Sequence, residues 1–191
     1  MTIIYSNLGD IDCKILETLW KGVRGAKVVE LKAKDINKDG IEEKLEELMS
    51  EEEDTLIFAG HGISYGFPFP SLDDIHLILH SDNSSKIKAR RVICIWCHAS
   101  EFCENVKLKG SFSTSMYISN VEEAVSNEVE GYSQRKINKT HGRFCRELRE
   151  LILKDVPMEE WIPLLQSRVD PENEVDKFNR TGLKYIPSEN T

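Results

Sequence analysis

The sequence has no long apolar run and no excess of basic residues. Its 191 residues include 25 Lys and Arg against 33 Asp and Glu, for a formal net charge of −8. This balance offers no basic field to a phosphate backbone, so we expect no nucleic-acid partner. No apolar run approaches the length of a membrane-spanning helix, and the amino terminus lacks a basic region followed by an apolar core. We therefore expect a cytoplasmic protein with no membrane partner.

Cysteines are few, and their number is odd. The sequence contains five, and most of them sit in apolar surroundings and not in loops. This usage suits reduced thiols in a reducing compartment and argues against a disulfide framework. A glycine-rich phosphate loop is also missing, since residues 7–10 after the first predicted strand read only Asn-Leu-Gly-Asp. Its absence weakens the alternative of a flavodoxin-like small-molecule binder, and we expect neither a cofactor nor a bound metal ion.

Apolar periodicity alternates between strand and helix along most of the chain. Strands are predicted over residues 2–6, 26–31, 54–62, 91–97 and 111–119. Helical spacing covers residues 11–23, 41–49 and 72–79, and it returns after residue 120. Short connections between such elements predict parallel pairing, because right-handed crossovers return the chain to the same edge of a sheet. The sequence therefore predicts an α/β fold, a three-layer sandwich with a mostly parallel central sheet.

The length of the chain sets the number of domains. With 191 residues and 40% apolar content, it can bury one substantial core but is too short for two ordinary domains. We predict a single α/β domain over residues 1–169. Residues 170–191 are polar and are predicted to form a tail that lies over the surface.

Two of the predicted strands end in residues that can carry chemistry. One run ends at His61, which is flanked by glycines, and the other ends at Cys97. Both runs have the length and β-branched content of strands that are buried on two faces. The carboxyl ends of parallel strands line the ligand crevice of an α/β sheet, so the two side chains should meet there if their strands are neighbours. We expect the imidazole to favour the nucleophilic thiolate, which makes the pair a candidate catalytic dyad.

The residues from Cys94 to His98 match the attachment pattern of a c-type haem. That pattern needs an exposed loop or helix start, whereas Cys94 falls inside a predicted buried strand. Cys94 and Cys97 are an odd number of positions apart, so on a strand their side chains face opposite sides and cannot jointly bind zinc or form a redox pair. We expect Cys94 to be a packed core thiol and no haem to be attached.

A calcium-loop pattern occurs once. Asp35, Asn37 and Asp39, with Glu46 at the twelfth position, fit the loop of an EF-hand. The preceding residues form a strand pattern and not an entering helix, and no second hand is present. A polar loop in which Asp39 caps the following helix explains the same residues. Both interpretations remain open at the level of sequence.

The order of these signatures resembles that of the caspase-like cysteine peptidases, which include caspases, gingipains, clostripain and the CHAT domains. In this chain a strand ending at His61 is followed, about one crossover later, by a strand ending at Cys97. The strand pattern over residues 110–116 and the helix start at residues 123–124 are also similar to the CHAT pattern. The resemblance covers residues 2–130 and implies a caspase-like fold.

The resemblance also implies an activity, the hydrolysis of a peptide or protein substrate. His61 is implied as the general acid and base, and Cys97 as the nucleophile that attacks the scissile carbonyl. The backbone N–H groups of Gly62 and Cys97 are implied as the oxyanion hole. The residues around Cys97 depart from the caspase signature, so a preference for Asp is not implied. Trp96 beside the nucleophile keeps open a catalytically inactive binding or regulatory module on the same scaffold.

The residue before the scissile bond is gripped, in this family, by loops that follow the nucleophile strand and its neighbour. Here those loops supply Glu101, Glu104, Asn120 and Glu122, and the loop after the histidine adds Asp73 and Asp74. An acidic pocket favours Arg or Lys, because a desolvated carboxylate is costly unless a cation neutralises it. We therefore predict cleavage after a basic residue. A solvated acidic rim is the alternative for these side chains.

Overall fold

The structure, a computed structural model, describes residues 1–35, 38–71 and 75–188. Its strands are β1 (Thr2–Ser6), β2 (Lys27–Leu31), β3 (Thr55–Gly60), β4 (Phe67–Pro68), β5 (Leu77–Leu79), β6 (Arg91–Ile95), β7 (Ser111–Ser113) and β8 (Lys184–Ile186). Its helices are α1 (Ile11–Leu16), α2 (Ile41–Ser50), α3 (Ser81–Ser84), α4 (Ala99–Val106), α5 (Val121–Ser126), α6 (Gln134–Leu153), α7 (Trp161–Ser167) and α8 (Glu174–Thr181). Within these ranges no helix is both long and apolar enough to cross a membrane.

The central sheet has six strands in the order β2-β1-β3-β6-β7-β8. The pairs β2-β1, β1-β3, β3-β6 and β6-β7 are parallel, and β8 runs antiparallel to β7. β4 and β5 form a separate antiparallel pair. The prediction of an α/β fold with a mostly parallel central sheet flanked by helices is confirmed.

Each face of the sheet carries its own hydrophobic core. Ile57 and Ile93 pack on one face against α1, α6 and α7. Phe58 and Cys94, their neighbours along the same strands, pack on the other face against α2 and α4. Successive side chains of a strand point to opposite faces, so strands without polar interruptions bury both. Cys94 is fully buried, as expected of a core thiol.

Two predicted elements next to the sheet differ in the structure. The strand predicted over residues 111–119 ends at Ser113, because the chain then leaves the sheet. A helix is predicted over residues 72–79, but Leu77–Leu79 form the strand β5. Residues 72–74 lie outside the described residues. β5 pairs with β4 and buries Ile78 and Leu79 in the α2 face of the core, so tertiary packing outweighs the local helical spacing.

Residues 170–191, predicted to form a polar tail, contain the helix α8 and the strand β8. β8 extends the central sheet beyond β7. α8 buries Val175 and uses Asn179 to hold the peptide of Ile118: its Oδ1 accepts from the Ile118 N–H at 2.8 Å and its Nδ2 donates to the Ile118 carbonyl at 3.0 Å. The polar residues of this segment serve as internal hydrogen-bond partners, which composition alone does not reveal.

A buried network of ion pairs connects α8 to α6. Nε of Arg180 donates to Oδ1 of Asp176 at 2.9 Å, and both side chains are 1% exposed. Arg143 of α6 also pairs with Asp176, and Nη1 of Arg180 donates to Glu147 of α6 at 2.7 Å. Breaking a buried pair by removing one partner leaves uncompensated charge, so Asp176 should be important for stability.

We expect Asp176→Ala to lower the free energy of unfolding by about 3–5 kcal/mol, because it leaves two arginines without their shared carboxylate. The measurement is urea unfolding followed by circular dichroism. Glu174→Ala is the matched control in the same helix, since Glu174 pairs with the exposed Lys177; it should leave the transition where it is. Equal transitions for the two variants would contradict a structural role for the buried pair.

Candidate active site

His61 and Cys97 lie at the same edge of the central sheet. In the parallel pair β3-β6, Ala59 stands opposite Ile95, and His61 and Cys97 each follow two residues later. β3 and β6 are neighbouring parallel strands, as predicted, and the two residues follow their carboxyl ends. Both residues line one narrow cleft. Its wall also includes Asp12 and Cys13 of α1, Tyr117 and Ser119 after β7, and His141 of α6.

A carboxylate holds the imidazole of His61. Nε2 of His61 lies 2.7 Å from Oδ2 of Asp10, the residue that caps α1. Burial raises the pKa of Asp10, but the hydrogen bonds from the Cys13 N–H and from His61 outweigh it, and the net pKa is lower than usual. Asp10 therefore stays ionised and orients the ring, which leaves the other ring nitrogen for proton transfer.

Sequence reasoning missed Asp10, although a signal was present. An Asp directly before the helical spacing of α1 is a typical helix cap. It also follows β1, whose carboxyl end is adjacent to that of β3 because the two strands pair in parallel. The capping pattern and the strand order together indicate a carboxylate beside His61, but the strand order is not readable from the sequence.

The thiol of Cys97 is half-buried among oxygen atoms. Its Sγ donates to the Tyr117 carbonyl at 3.4 Å and lies 4.0 Å from Oε1 of Glu123. Burial, and then the negative charge of Glu123, raises the pKa of Cys97 to about 12. These effects oppose the thiolate that the imidazole is expected to favour. The thiol is protonated at rest, and a base has to remove its proton when it reacts.

A sharp turn carries the thiol from strand to helix. His98 adopts the left-handed conformation with φ 67°, and α4 begins at the next residue. Oγ1 of Thr114 donates to the Trp96 carbonyl at 2.8 Å, and the Ser100 N–H donates to the Thr114 carbonyl at 2.9 Å. A non-glycine residue in this conformation is held there by its surroundings, and such strain is concentrated at functional positions.

Trp96 supports the loop that follows His61. A Cβ added to Gly62 would lie 2.1 Å from Cδ1 of Trp96, so only glycine fits against the indole. Nε1 of Trp96 donates to the Ile63 carbonyl at 3.2 Å, and the ring is buried in the core on the α2 and α4 face of the sheet. Cys97 packs toward the opposite face. The indole therefore fixes the backbone of Gly62.

Two carboxylates that the sequence did not single out face the thiol. Asp12 is buried, and its Oδ2 accepts from Oγ of Ser119 at 2.9 Å. Its Oδ1 has no hydrogen-bond partner in the part of the chain that the structure describes. Oε2 of Glu123 accepts from the Ser119 N–H at 2.6 Å. Burial raises the pKa of Asp12, so the cleft holds a carboxyl group that gains from a cationic neighbour.

Two of the predicted specificity residues form ion pairs outside the cleft, and a third is exposed to solvent. Glu101 pairs with Nδ1 of His98 at 2.7 Å, and Glu104 pairs with Lys184 at 3.4 Å. Glu122 is exposed to solvent. None of these three glutamates lines the cleft that holds His61 and Cys97 within the described ranges.

Asn120 has a structural role at the start of α5. Its Oδ1 accepts from the Glu123 N–H at 2.9 Å, so the side chain caps the helix. Asp73 and Asp74 lie outside the described residues. Among the described acids, Asp12 lines the cleft and Glu123 lies 4.0 Å from the thiol.

The residues of the calcium-loop pattern are used in other ways. Oδ2 of Asp35 accepts from the Lys32 N–H at 2.9 Å, and Glu46 pairs with Lys86 at 2.7 Å. The residue that caps α2 is Gly40, with φ 72°, and not Asp39 as predicted. Glycine suits this left-handed position, which explains why it replaces the aspartate as the cap. Asn37 lies outside the described residues.

The sequence matches no family model, and no curated protein is significantly similar to it. The chemistry of the cleft therefore has to be inferred from its own residues. These are an imidazole held by a carboxylate, a protonated thiol after the neighbouring strand, and a buried carboxyl group with one oxygen that no described residue satisfies. Groups of these types can serve as a base, a nucleophile and a site for a cation.

His141 completes the wall of the cleft from α6. Its ring packs on Tyr117 with 5.1 Å between centroids, and neither ring nitrogen has a hydrogen-bond partner among the described residues. Burial, and then the charge of His61, lowers the pKa of His141 to about 4 from an ordinary value of 6.5. The folded protein therefore holds this ring in its neutral form.

We expect His141 to make the folded state less stable in mild acid. Between about pH 6.5 and pH 4 the unfolded chain binds a proton at this residue that the folded chain does not, so lowering the pH through this window reduces the free energy of unfolding by roughly 3 kcal/mol. His141→Gln should remove this part of the pH dependence, whereas the surface variant His76→Gln should retain it. Urea unfolding at several pH values provides the measurement; parallel pH profiles for wild type and His141→Gln would contradict it.

Proposed function

We propose that this protein is a caspase-like cysteine endopeptidase that cleaves after a basic residue. The observation that carries the proposal is the placement of Asp10, His61 and Cys97 after three adjacent parallel strands, β1, β3 and β6. Asp10 holds the imidazole at 2.7 Å, and the imidazole and the thiol line the same cleft. A nucleophile and a base oriented by a third group is the arrangement that nucleophilic catalysis requires.

The reaction begins from a neutral thiol. Cys97 attacks the carbonyl carbon of the scissile bond while His61 accepts the thiol proton, and Asp10 stabilises the imidazolium that forms. The oxyanion of the tetrahedral intermediate is held by the backbone N–H groups of Gly62 and Cys97. His61 then gives its proton to the leaving amine, and a water molecule hydrolyses the thioester. The Trp96 indole, which fixes the Gly62 backbone, is part of the positioning of this hole.

The preference for a basic substrate residue rests on Asp12. Its Oδ1 is buried, lacks a partner in the described residues and belongs to the wall of the same cleft. An unpaired buried carboxyl group is costly, and the guanidinium or ammonium group of a substrate removes this cost. Glu123, close to the thiol, adds to the negative potential. A cation bound here also offsets the charges that raise the thiol pKa.

The dyad is tested by hydrolysis of a panel of fluorogenic peptides with Arg, Lys, Asp or Leu before the leaving group. We expect turnover of the Arg and Lys peptides by wild type and none by Cys97→Ala. His61→Asn should lower kcat by roughly 10²–10⁴-fold, the usual contribution of a general base. Asp10→Asn should lower kcat with little change in KM, because the carboxylate acts through the imidazole.

His98→Asn is the matched control for the dyad, since this histidine also adjoins the nucleophile but pairs with Glu101. It should keep wild-type turnover. A chloromethyl ketone peptide ending in Arg should label Cys97, as located by mass spectrometry of the digested adduct. A folded wild-type chain that hydrolyses no peptide in the panel would contradict the peptidase proposal and favour a non-catalytic binding module.

Asp12→Asn tests the specificity. We expect kcat/KM for the Arg and Lys peptides to fall roughly 30-fold or more, because removing one partner of a buried charge pair costs about 2 kcal/mol or more. Glu122→Gln, an exposed acid on the predicted rim, is the control and should leave kcat/KM unchanged. Turnover restricted to peptides ending in Asp, or an unchanged preference in Asp12→Asn, would overturn the assignment of Asp12.

A further inference from the structure

Three different ligand groups converge between α1 and the end of β3. The carboxylate of Asp10, the thiol of Cys13 and the imidazole of His61 each place one ligand atom within 4.8 Å of the other two. Asp10 and Cys13 are three positions apart at the start of α1, so their side chains share one side of the helix. Oxygen, sulfur and nitrogen donors of this kind are those that Zn²⁺ takes in proteins.

We propose that Zn²⁺ binds to Asp10, Cys13 and His61 and that this binding switches the enzyme off. The metal site stands on the residues themselves, whereas its inhibitory effect rests on the proposed function, because it depends on His61 being the catalytic base. Three protein ligands leave the fourth position of a tetrahedral zinc open to water. An imidazole whose ring nitrogen is bound to the metal has lost its carboxylate partner and its freedom to take the thiol proton.

The three proposed ligands differ in their exposure to solvent. The side chains of Asp10 and His61 are 37% and 34% exposed, so an ion can reach them from solvent. Cys13 is fully buried, and its Sγ donates to the Ser6 carbonyl at 3.6 Å. Zinc bonds of about 2.0–2.3 Å put neighbouring ligand atoms roughly 3.5 Å apart. The Asp10 and His61 atoms, 2.7 Å apart, therefore have to separate by less than an ångström, and any pair near the 4.8 Å limit has to close by about an ångström. Rotation of the two exposed side chains can supply most of this movement.

Asp12 provides a second, independent observation. It is 93% buried in the same cleft as Cys13 and His61, and its Oδ1 has no hydrogen-bond partner within residues 1–35, 38–71 and 75–188. A buried carboxyl oxygen that no described residue satisfies favours a cation beside it, because the cation stabilises the ionised form. The donor set therefore lies in a potential that suits a divalent ion.

The proton balance of the binding step is simple. The Cys13 thiol loses its proton to solvent and forms the sulfur–zinc bond, while neutral His61 gives a nitrogen lone pair and Asp10 a carboxylate oxygen. The hydrogen bond between Asp10 and His61 is replaced by two metal bonds. No oxidation or reduction takes place, and chelation reverses the step.

The test uses the full chain with Co²⁺ as a spectroscopic probe and Zn²⁺ in calorimetry. We expect a thiolate-to-cobalt charge-transfer band, and the release of about one proton per Zn²⁺ when calorimetry is repeated in buffers of different ionisation enthalpy. Cys13→Ser should abolish the band. It should also lower the Zn²⁺ affinity by more than the roughly 10–100-fold that follows loss of an outer-shell partner. Cys145→Ser, which changes a buried cysteine on α6, is the matched control and should retain both.

Two further variants keep the test decisive. Cys97→Ala should retain the band, since the nucleophile is not a ligand; its loss there would place the metal on the dyad and overturn the proposal. His61→Asn changes a partly exposed residue and serves if circular dichroism shows that Cys13→Ser does not fold. His61→Asn should strongly lower the Zn²⁺ affinity, whereas His98→Asn should leave it unchanged. An unchanged Zn²⁺ affinity in folded Cys13→Ser or in His61→Asn also overturns the site.

The zinc site and the peptidase activity can be disproved independently of each other. Wild type that hydrolyses peptides and shows no charge-transfer band disproves the zinc site and leaves the peptidase intact. Wild type that binds Zn²⁺ and hydrolyses nothing disproves the peptidase and leaves the site intact. If both hold, Zn²⁺ should inhibit wild type reversibly at concentrations that match its calorimetric affinity. Inhibition should require proportionately higher Zn²⁺ in Cys13→Ser; equal inhibition of the two would overturn the proposed switch.

Discussion

The parallel pairing of β3 with β1 on one side and β6 on the other is the constraint on which the site depends. It brings three chain segments that are distant in sequence to one edge of the sheet, with Ser6 opposite Gly60 and Ala59 opposite Ile95. Both faces of these strands pack against helices, so a slip of one residue would exchange the side chains that fill the two cores and disrupt the packing of both. The hydrophobic core therefore fixes the positions of Asp10, His61 and Cys97.

The electrostatics of the cleft oppose a free thiolate. Burial raises the pKa of Cys97 most, and the negative charges of Glu123 and Asp12 raise it further. A site built only to activate a thiol would hold cations near it. The arrangement found here makes sense if the missing positive charge arrives with the ligand, because a bound cation relieves the buried carboxyl of Asp12 and the field at Cys97 together. In the proposed peptidase, the same acids therefore couple reactivity to recognition.

Sequence patterns predicted what is local and missed what depends on distant contacts. His61 and Cys97 end apolar runs, so the residues themselves revealed both the strands and the candidate dyad. Asp12 becomes part of the cleft through Ser119, which is far away along the chain. The carboxyl-terminal segment looked like a polar tail, yet Asn179 anchors the peptide of Ile118 between the cleft residues Tyr117 and Ser119. A polar composition does not distinguish solvent from a buried hydrogen-bond partner.

His61 is the point at which the two proposals meet. Its carboxylate partner Asp10 orients the ring for the proposed proton transfer and is also one of the three proposed metal ligands. Because Asp12 attracts any cation, a zinc ion and the basic side chain of a substrate respond to the same negative potential. Occupation of the cleft by one therefore weakens binding of the other, even where they touch different atoms. An acidic, imidazole-containing cleft gains substrate selectivity and metal sensitivity from a single arrangement of charges.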